Sequence, residues 1–256
     1  MSEVTLQGPQ SIVATNLVKQ YGGRTVVDGV TLQVKRGEVL GLLGPNGAGK
    51  TTSFYMIMGL IKPDRGKVML GEQDVTRWAM HRRARSGVGY LAQDASVFRK
   101  LTVEENILAI LQLLPMSRKD QANRCNELLE RFDLVERRNE LGMALSGGER
   151  RRTEIARVLA SDPLFILLDE PFTGIDPKQV EEVQRIITDL KSLNIGILIT
   201  DHAAQTTLDI IDRGCLLYDG RIAVEGTPKE LINSARARDI YFGESIPRMA
   251  GTGAQA

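Results

Sequence analysis

The residues best suited to chemistry stand nine in a row, Gly44-Pro45-Asn46-Gly47-Ala48-Gly49-Lys50-Thr51-Thr52. They fit G-x-x-x-x-G-K-[ST], a pattern whose glycines let the backbone curl around an anion with its N–H groups pointing inward. The apolar run Val39-Leu40-Gly41-Leu42-Leu43 precedes them, and the helix-like Ser53-Phe54-Tyr55-Met56-Ile57-Met58 follows. A strand–loop–helix order aims the positive end of a helix dipole at the same anion. Lys50 brings a mobile charge for the β- and γ-phosphates of a nucleotide, and Thr51 a hydroxyl for Mg²⁺. The alternative is a glycine-rich turn that fits the pattern by chance, and the flanking strand and helix argue against it.

Two further apolar runs end in polar groups. Leu164-Phe165-Ile166-Leu167-Leu168 runs into Asp169-Glu170, and Ile195-Gly196-Ile197-Leu198-Ile199 into Thr200-Asp201-His202. In open parallel sheets ligands lie beyond the carboxyl ends of the strands. There Asp169 can complete a Mg²⁺ shell opposite Thr51, and Glu170 can polarise an attacking water. The bland alternative is a pair of acids capping a strand or the next helix. His202, one of two histidines, is either a structural imidazole or a contact to the γ-phosphate from the neighbouring strand. Leu145-Ser146-Gly147-Gly148-Glu149 opens a helix read as Arg150 to Ala160, with Ser146 as cap and two glycines that bare its N-terminal amides to an anion. An ordinary glycine-containing helix start reads the same way. Tyr21 is a core or turn tyrosine, or an aromatic able to stack on a purine.

The elements that position these residues follow from pattern. Strands are expected over Ile12 to Val18 and Val26 to Val34, with a turn at Lys35 to Glu38, then short strands near 67–70 and 88–91 and a helix over Trp78 to Arg85. Thr102-Val103-Glu104-Glu105 is a capping box, Pro115 ends the helix it starts, and another helix covers Ser117 to Phe132. Helical Lys178 to Leu193 links two buried strands, a βαβ unit and so a parallel sheet. Strands over 214–218 and 221–225 and a helix from Thr227 close the pattern. The division expected is a flexible stretch 1–10, an α/β nucleotide-binding core over 11–93 and 161–235, a helical lobe over 94–160 and a tail over 236–256.

Of 256 residues 42% are hydrophobic and 25% charged, with a formal net charge of +1. That suits a globular domain with a sizeable core and does not call for nucleic acid. The arginines at 150, 151, 152 and 157, and those at 82, 83 and 85, accordingly read as solvated or salt-bridged helix faces. Cys125 and Cys215 have no metal-ligand spacing and read as reduced thiols. Met1 to Gln10 carries no signal-peptide pattern, and no apolar run reaches the ~20 residues of a membrane span. Service to a membrane would go through a partner.

Taken together these pieces resemble the ATP-binding cassette family. Gly44 to Thr52 is similar to its Walker A loop, Gln93 to its Q-loop glutamine and Leu145 to Glu149 to its LSGGE signature. Phe165 to Glu170 resembles Walker B with the catalytic glutamate, Gly174 to Pro177 the D-loop, His202 the switch histidine and Tyr21 the adenine-stacking aromatic. The resemblance implies a P-loop NTPase fold of mixed sheet, with an inserted helical lobe and an antiparallel β edge. It implies ATP and Mg²⁺, with Thr51, Gln93 and Asp169 at the metal and Ser146, Gly147, Gly148 and Glu149 at the nucleotide. It implies a head-to-tail pair of chains, Walker A of one facing the signature of the other. Within the family, Tyr90 to Leu101, Leu145 to Ala156, Phe165 to Pro177 and Ile240 to Glu244 are similar to ATPase subunits of lipopolysaccharide exporters. Ala92 departs from the proline expected there. Branched-chain amino-acid importers share a similar tail and remain the second reading, and a non-transport cassette the third. The resemblance implies integral membrane partners docking at Gln93 to Arg99 and a place on the cytoplasmic face of the inner membrane.

Overall fold

The computed structural model describes residues 8–243. The expected flexible 1–10 and the end of the tail, Glu244 included, therefore lie wholly or largely outside the described residues. Two sheets form. The first is antiparallel in the order β2-β1-β4-β5, from β1 (Ser11–Tyr21), β2 (Arg24–Lys35), β4 (Arg65–Leu70) and β5 (Gln73–Asp74). The second has the order β10-β9-β3-β8-β7-β6, from β3 (Val39–Leu43), β6 (Val88–Leu91), β7 (Phe165–Asp169), β8 (Gly196–Thr200), β9 (Arg213–Tyr218) and β10 (Arg221–Gly226). Its strands run parallel except for β10, which pairs antiparallel with β9 at the edge. The parallel strands are those the βαβ pattern called for, and the mixed sheet with its antiparallel edge is the one the resemblance implied.

Strands β3, β7 and β8 are buried at every position, as parallel strands covered on both faces must be. Their alternation divides the core. Leu40, Leu42, Phe165, Leu167 and Leu198 face the layer shared with the antiparallel sheet. Val39, Leu43, Ile166, Leu168, Ile197 and Ile199 face the other layer. That second layer is continuous with α3 (Val103–Leu111), α4 (Arg118–Arg131) and α5 (Gly147–Ala160), whose Ile107, Leu128 and Ile155 join the same cluster. The helices between β6 and β7 thus pack as one body with the sheet's underside.

Glycines in left-handed conformation bound α1 (Lys50–Met58), with Gly49 before it at φ 100° and Gly59 after it at φ 86°. The capping box at Thr102 forms as expected, with Glu105 N–H donating to the Thr102 hydroxyl at 3.1 Å and Thr102 N–H to the Glu105 carboxylate at 2.7 Å. Helix α2 (Met80–Arg85) is shorter than the stretch read from sequence, and α6 (Pro177–Ser192) starts on Asp176 as its cap. Elements not expected include α7 (Ala204–Leu208) and the two-residue β5. Helix α8 (Pro228–Asn233) follows, then a short helix Ala235–Ala237 and a π-turn Arg238–Phe242. No helix among the described residues is long and apolar enough to cross a membrane.

Candidate functional site

The loop between β3 and α1 is held by backbone fit. A Cβ on Gly44, at φ 144°, would stand 2.3 Å from the Leu217 carbonyl oxygen, and one on Gly49 would stand 2.6 Å from that of Val26. Only glycine allows both approaches. Ala48 is buried, and its carbonyl accepts from Gly220 N–H at 3.1 Å. The inner face at Gly47 is open, with no atom within 4 Å of a Cβ built there. Lys50 is 5% exposed and folds back over the loop, its Nζ donating to the carbonyls of Gly44 at 2.6 Å and Pro45 at 3.0 Å. Burial lowers its pKa, and the charges of Glu170 and Asp201 partly offset that. An ammonium with only carbonyl partners and two carboxylates in its field is disposed to take phosphate oxygens. Thr51 is exposed on the first turn of α1, and Thr52 is half-buried beside it. Tyr21 is half exposed at the end of β1, with Lys19 Nζ 5.5 Å from its ring centre. Its hairpin leads directly into Val26, which packs on Gly49.

Asp169 ends β7 almost fully buried. Tyr90 Oη, on neighbouring β6, donates to its Oδ2 at 3.4 Å, and Tyr55 of α1 hydrogen-bonds it as well. Burial raises its pKa against those hydrogen bonds, and nearby Glu170 and Asp201 raise it further. A carboxylate so desolvated gains from a cation at its free oxygen. The oxygen donors Thr51, Asp169 and Gln93 suit a hard ion such as Mg²⁺. Among the described residues no group of three or more His, Cys, Asp or Glu could hold a metal by itself.

The next residue, Glu170, takes φ 46°, a left-handed conformation uncommon outside glycine, and its N–H donates to Thr200 O on β8 at 2.7 Å. The turn directs its carboxylate to His202, whose Nε2 lies 2.6 Å from Oε1, while Thr173 Oγ1 donates to Oε2 at 3.3 Å. Two residues read independently from sequence are thus in direct contact. Asp201, quoted from sequence only as part of its run, proves to be the anchor. It is 1% exposed and accepts from Phe172 N–H at 2.8 Å and Ala203 N–H at 2.9 Å, joining the turns after Glu170 and His202.

The signature helix starts three residues before the expected Arg150, because Ser146 and Glu149 close a capping box around both glycines. Ser146 N–H donates to Glu149 Oε2 at 2.9 Å, and Arg137 pairs with Oε1 at 2.8 Å. Hydrogen bonds from Ser146 hold the Glu149 carboxyl below its usual range. Glu149 is therefore committed to the helix start, which leaves Ser146 and Gly147 exposed at its tip. Gly147 and Gly148 line a cavity of about 150 Å³ with Gln93 and Glu170, and no residue of the loop 44–52 borders it.

The arginines of α5 bear out the solvated or salt-bridged reading in part, with Arg150 exposed, Arg151 paired with Glu154 at 3.3 Å and Arg152 with Glu182 at 2.6 Å, but they also reach the backbone. Arg151 donates to Ala92 O at 3.2 Å, Arg157 to Ser96 O at 2.5 Å, and buried Glu154 accepts from Ser96 N–H at 2.6 Å. One stripe of α5 thus grips the backbone after Gln93. Asn106, fully buried, holds the next residues, accepting from Phe98 N–H at 2.8 Å and donating to its carbonyl at 3.1 Å. Phe98 itself is 46% exposed, with the Arg157 guanidinium stacked 4.4 Å from its ring centre.

The ABC transporter family profile matches residues 27–173, from β2 through Walker B. The chain belongs to the ABC transporter family. As a member it is an ATP-hydrolysing enzyme. It is 51% identical over 233 residues to the lipopolysaccharide export system ATP-binding protein LptB of Acidithiobacillus ferridurans, covering 91% of this chain and 97% of the relative. It is 49% identical over 239 residues to LptB of Haemophilus influenzae, covering 92% and 98%. Its fold is similar to the ADP conformation of an ATP-binding cassette of an ABC transporter, with TM-score 0.81 and 28% identity over 91% of this chain and 99% of that one. It is also similar to a dimeric post-hydrolysis cassette bound to ADP and Pi, with TM-score 0.72 and 26% identity over 85% of this chain and 98% of that one.

Proposed function

We propose that this chain is the ATP-hydrolysing subunit of a lipopolysaccharide exporter, working as a head-to-tail pair on membrane-embedded partners at the cytoplasmic face of the inner membrane. The observation that carries the catalytic half is the meeting of strand ends. Lys50 lies beyond β3 and Asp169 and Glu170 close β7, two parallel strands that flank β8 with His202 just beyond it, and Glu170 is oriented by two neighbours. The near-full-length likeness to proteins named for lipopolysaccharide export supports the cargo.

In this reading the amides of 44–52 and the Lys50 ammonium bind the β- and γ-phosphates, and Tyr21 stacks on the adenine. Thr51, Asp169 and Gln93 would hold Mg²⁺, which when bound neutralises charge on the β- and γ-phosphate oxygens. Glu170 accepts the proton of the attacking water at its carboxylate, while His202 and Thr173 fix that carboxylate's orientation. Ser146, Gly147, Gly148 and the helix that Glu149 caps serve the nucleotide of a second chain. The own-chain cavity of the two glycines borders Glu170 rather than the phosphate loop, which supports sharing between chains. The helical lobe 94–160 presents Phe98 and Arg99 to the membrane partners, and the core 11–93 with 161–235 holds the nucleotide.

The test is purification of the tagged chain from membranes, identification of the membrane subunits that come with it, and measurement of ATP-dependent lipopolysaccharide release from vesicles holding the complex. Release that needs ATP supports export. Co-purifying subunits that bind branched-chain amino acids instead would reassign the cargo.

A further inference from the structure

Arg83 heads the fully buried side chains by volume, at 1% exposure. It lies in a stretch whose sequence reads as a solvated or salt-bridged basic face, and it is neither exposed nor ion-paired among the described residues. The one carboxylate acting on it is Asp74, and burial pushes its pKa down to about 10. Its partners are backbone carbonyls. Nη1 donates to Met56 O at 2.9 Å and to Ile57 O, Nη2 to Thr76 O at 3.2 Å and Nε to Trp78 O at 3.2 Å.

Met56 and Ile57 form the last turn of α1, where carbonyls lack partners within the helix and a cation is favoured by the dipole. The cap at Gly59 is shaped to that guanidinium. A Cβ there would stand 2.7 Å from both Arg83 Nε and Trp78 O. Helix α1 has nine residues, so its two ends are only about 13 Å apart. Its first residues are Lys50 and Thr51. The other side of α2 is open, with Met80, His81, Ala84 and Arg85 lining, with Met58 of α1, a groove of about 360 Å³.

We propose that Arg83 is a positioning residue for the phosphate loop. It fastens the last turn of α1 to α2 and so fixes where Lys50 and Thr51 stand at the first turn. This rests on the reading of 44–52 as the nucleotide's phosphate site. A side chain needed only to fill the core would be replaceable by any variant that keeps the fold, without loss of nucleotide affinity.

The experiment measures ATP affinity of the full chain by fluorescent-nucleotide displacement, for variants held at least 15 °C below their own melting temperatures. Arg83→Met removes every donor at similar length. Leu128→Ala, in α4, is a destabilising control that leaves α1 untouched. Arg83→Met is expected to weaken ATP at least fivefold, with Leu128→Ala within twofold of wild type. Arg83→Lys, whose ammonium can reach the α1 carbonyls but not all four partners, is expected to weaken ATP at least twofold and less than Arg83→Met. Smaller losses, or an equal loss in Leu128→Ala, overturn the proposal. If Arg83→Met does not fold, Arg83→Lys decides by the same twofold threshold. Lys50→Ala, run alongside, separates the two layers. Wild-type affinity there removes the phosphate-loop reading itself, whereas its loss with Arg83 variants unaffected removes only the role of Arg83.

Discussion

Replacing Phe98 by alanine separates a docking residue from a core residue. With 46% of Phe98 exposed, truncation removes roughly half of a phenylalanine's burial, about 1 kcal/mol. Losing the stack with Arg157 adds about 0.5–1 kcal/mol. The isolated chain should therefore lose about 1–2 kcal/mol in urea unfolding, against about 3–5 kcal/mol for a fully buried phenylalanine. The backbone should stay in place, because Asn106 and Glu154 hold residues 96–98 through main-chain groups alone. ATP binding by the isolated chain should be unchanged. Affinity for the membrane subunits, measured by titration into reconstituted complex, should fall by more than about 1 kcal/mol, the size of an interface hot spot. A loss of stability above about 3 kcal/mol, or assembly at wild-type affinity, would refute this reasoning.

Lys50→Ala should cut ATP affinity sharply in a chain that still melts cooperatively, and unchanged binding in an equilibrium titration counts against the phosphate-loop assignment. Mixing Lys50→Ala with Ser146→Arg chains should leave one intact composite site per mixed dimer, so trapped nucleotide should be recovered only in the mixture. No recovery would argue that each site forms within a single chain. Asp169→Asn should raise the melting temperature at pH 7. The raised carboxyl pKa means the fold's stability is fully present below the ordinary aspartate range and is lost as pH rises through the higher folded value. The variant's advantage should shrink as pH falls through the carboxylate range, and an advantage that does not depend on pH would contradict the burial argument.

What the sequence made legible was local. The strand–loop–helix setting of 44–52, the apolar runs that become β3, β7 and β8, and the capping box at Thr102 are each written within a dozen residues, and the structure matches them. At Ser146 the box was equally present, but Gly147 and Gly148 were read as preceding the helix. Two reciprocal hydrogen bonds outweigh their poor helix propensity. The contacts missed were between elements. Tyr55 and Tyr90 converge on Asp169 from a helix and a strand far apart in sequence, and Asp201 stitches two turns. Charge patterning misled at Arg83 and Arg157, which donate to backbone carbonyls that no charge count detects, whereas Arg151 adds such a carbonyl to the ion pair with Glu154. A buried strand whose end, Thr200, is followed at once by an acid was the available signal for Asp201.

The claim at the centre is that Glu170 makes hydrolysis possible rather than nucleotide binding. Glu170→Gln keeps the size and hydrogen-bonding reach of the side chain toward His202 and Thr173 but removes its basicity. Steady-state ATP turnover of the reconstituted complex, measured beside ATP affinity on the same preparation, tests it. A fall of about 10²–10⁴-fold in turnover, with binding retained and a nucleotide-trapped dimer accumulating, is the expected result. Turnover within about threefold of wild type would contradict it.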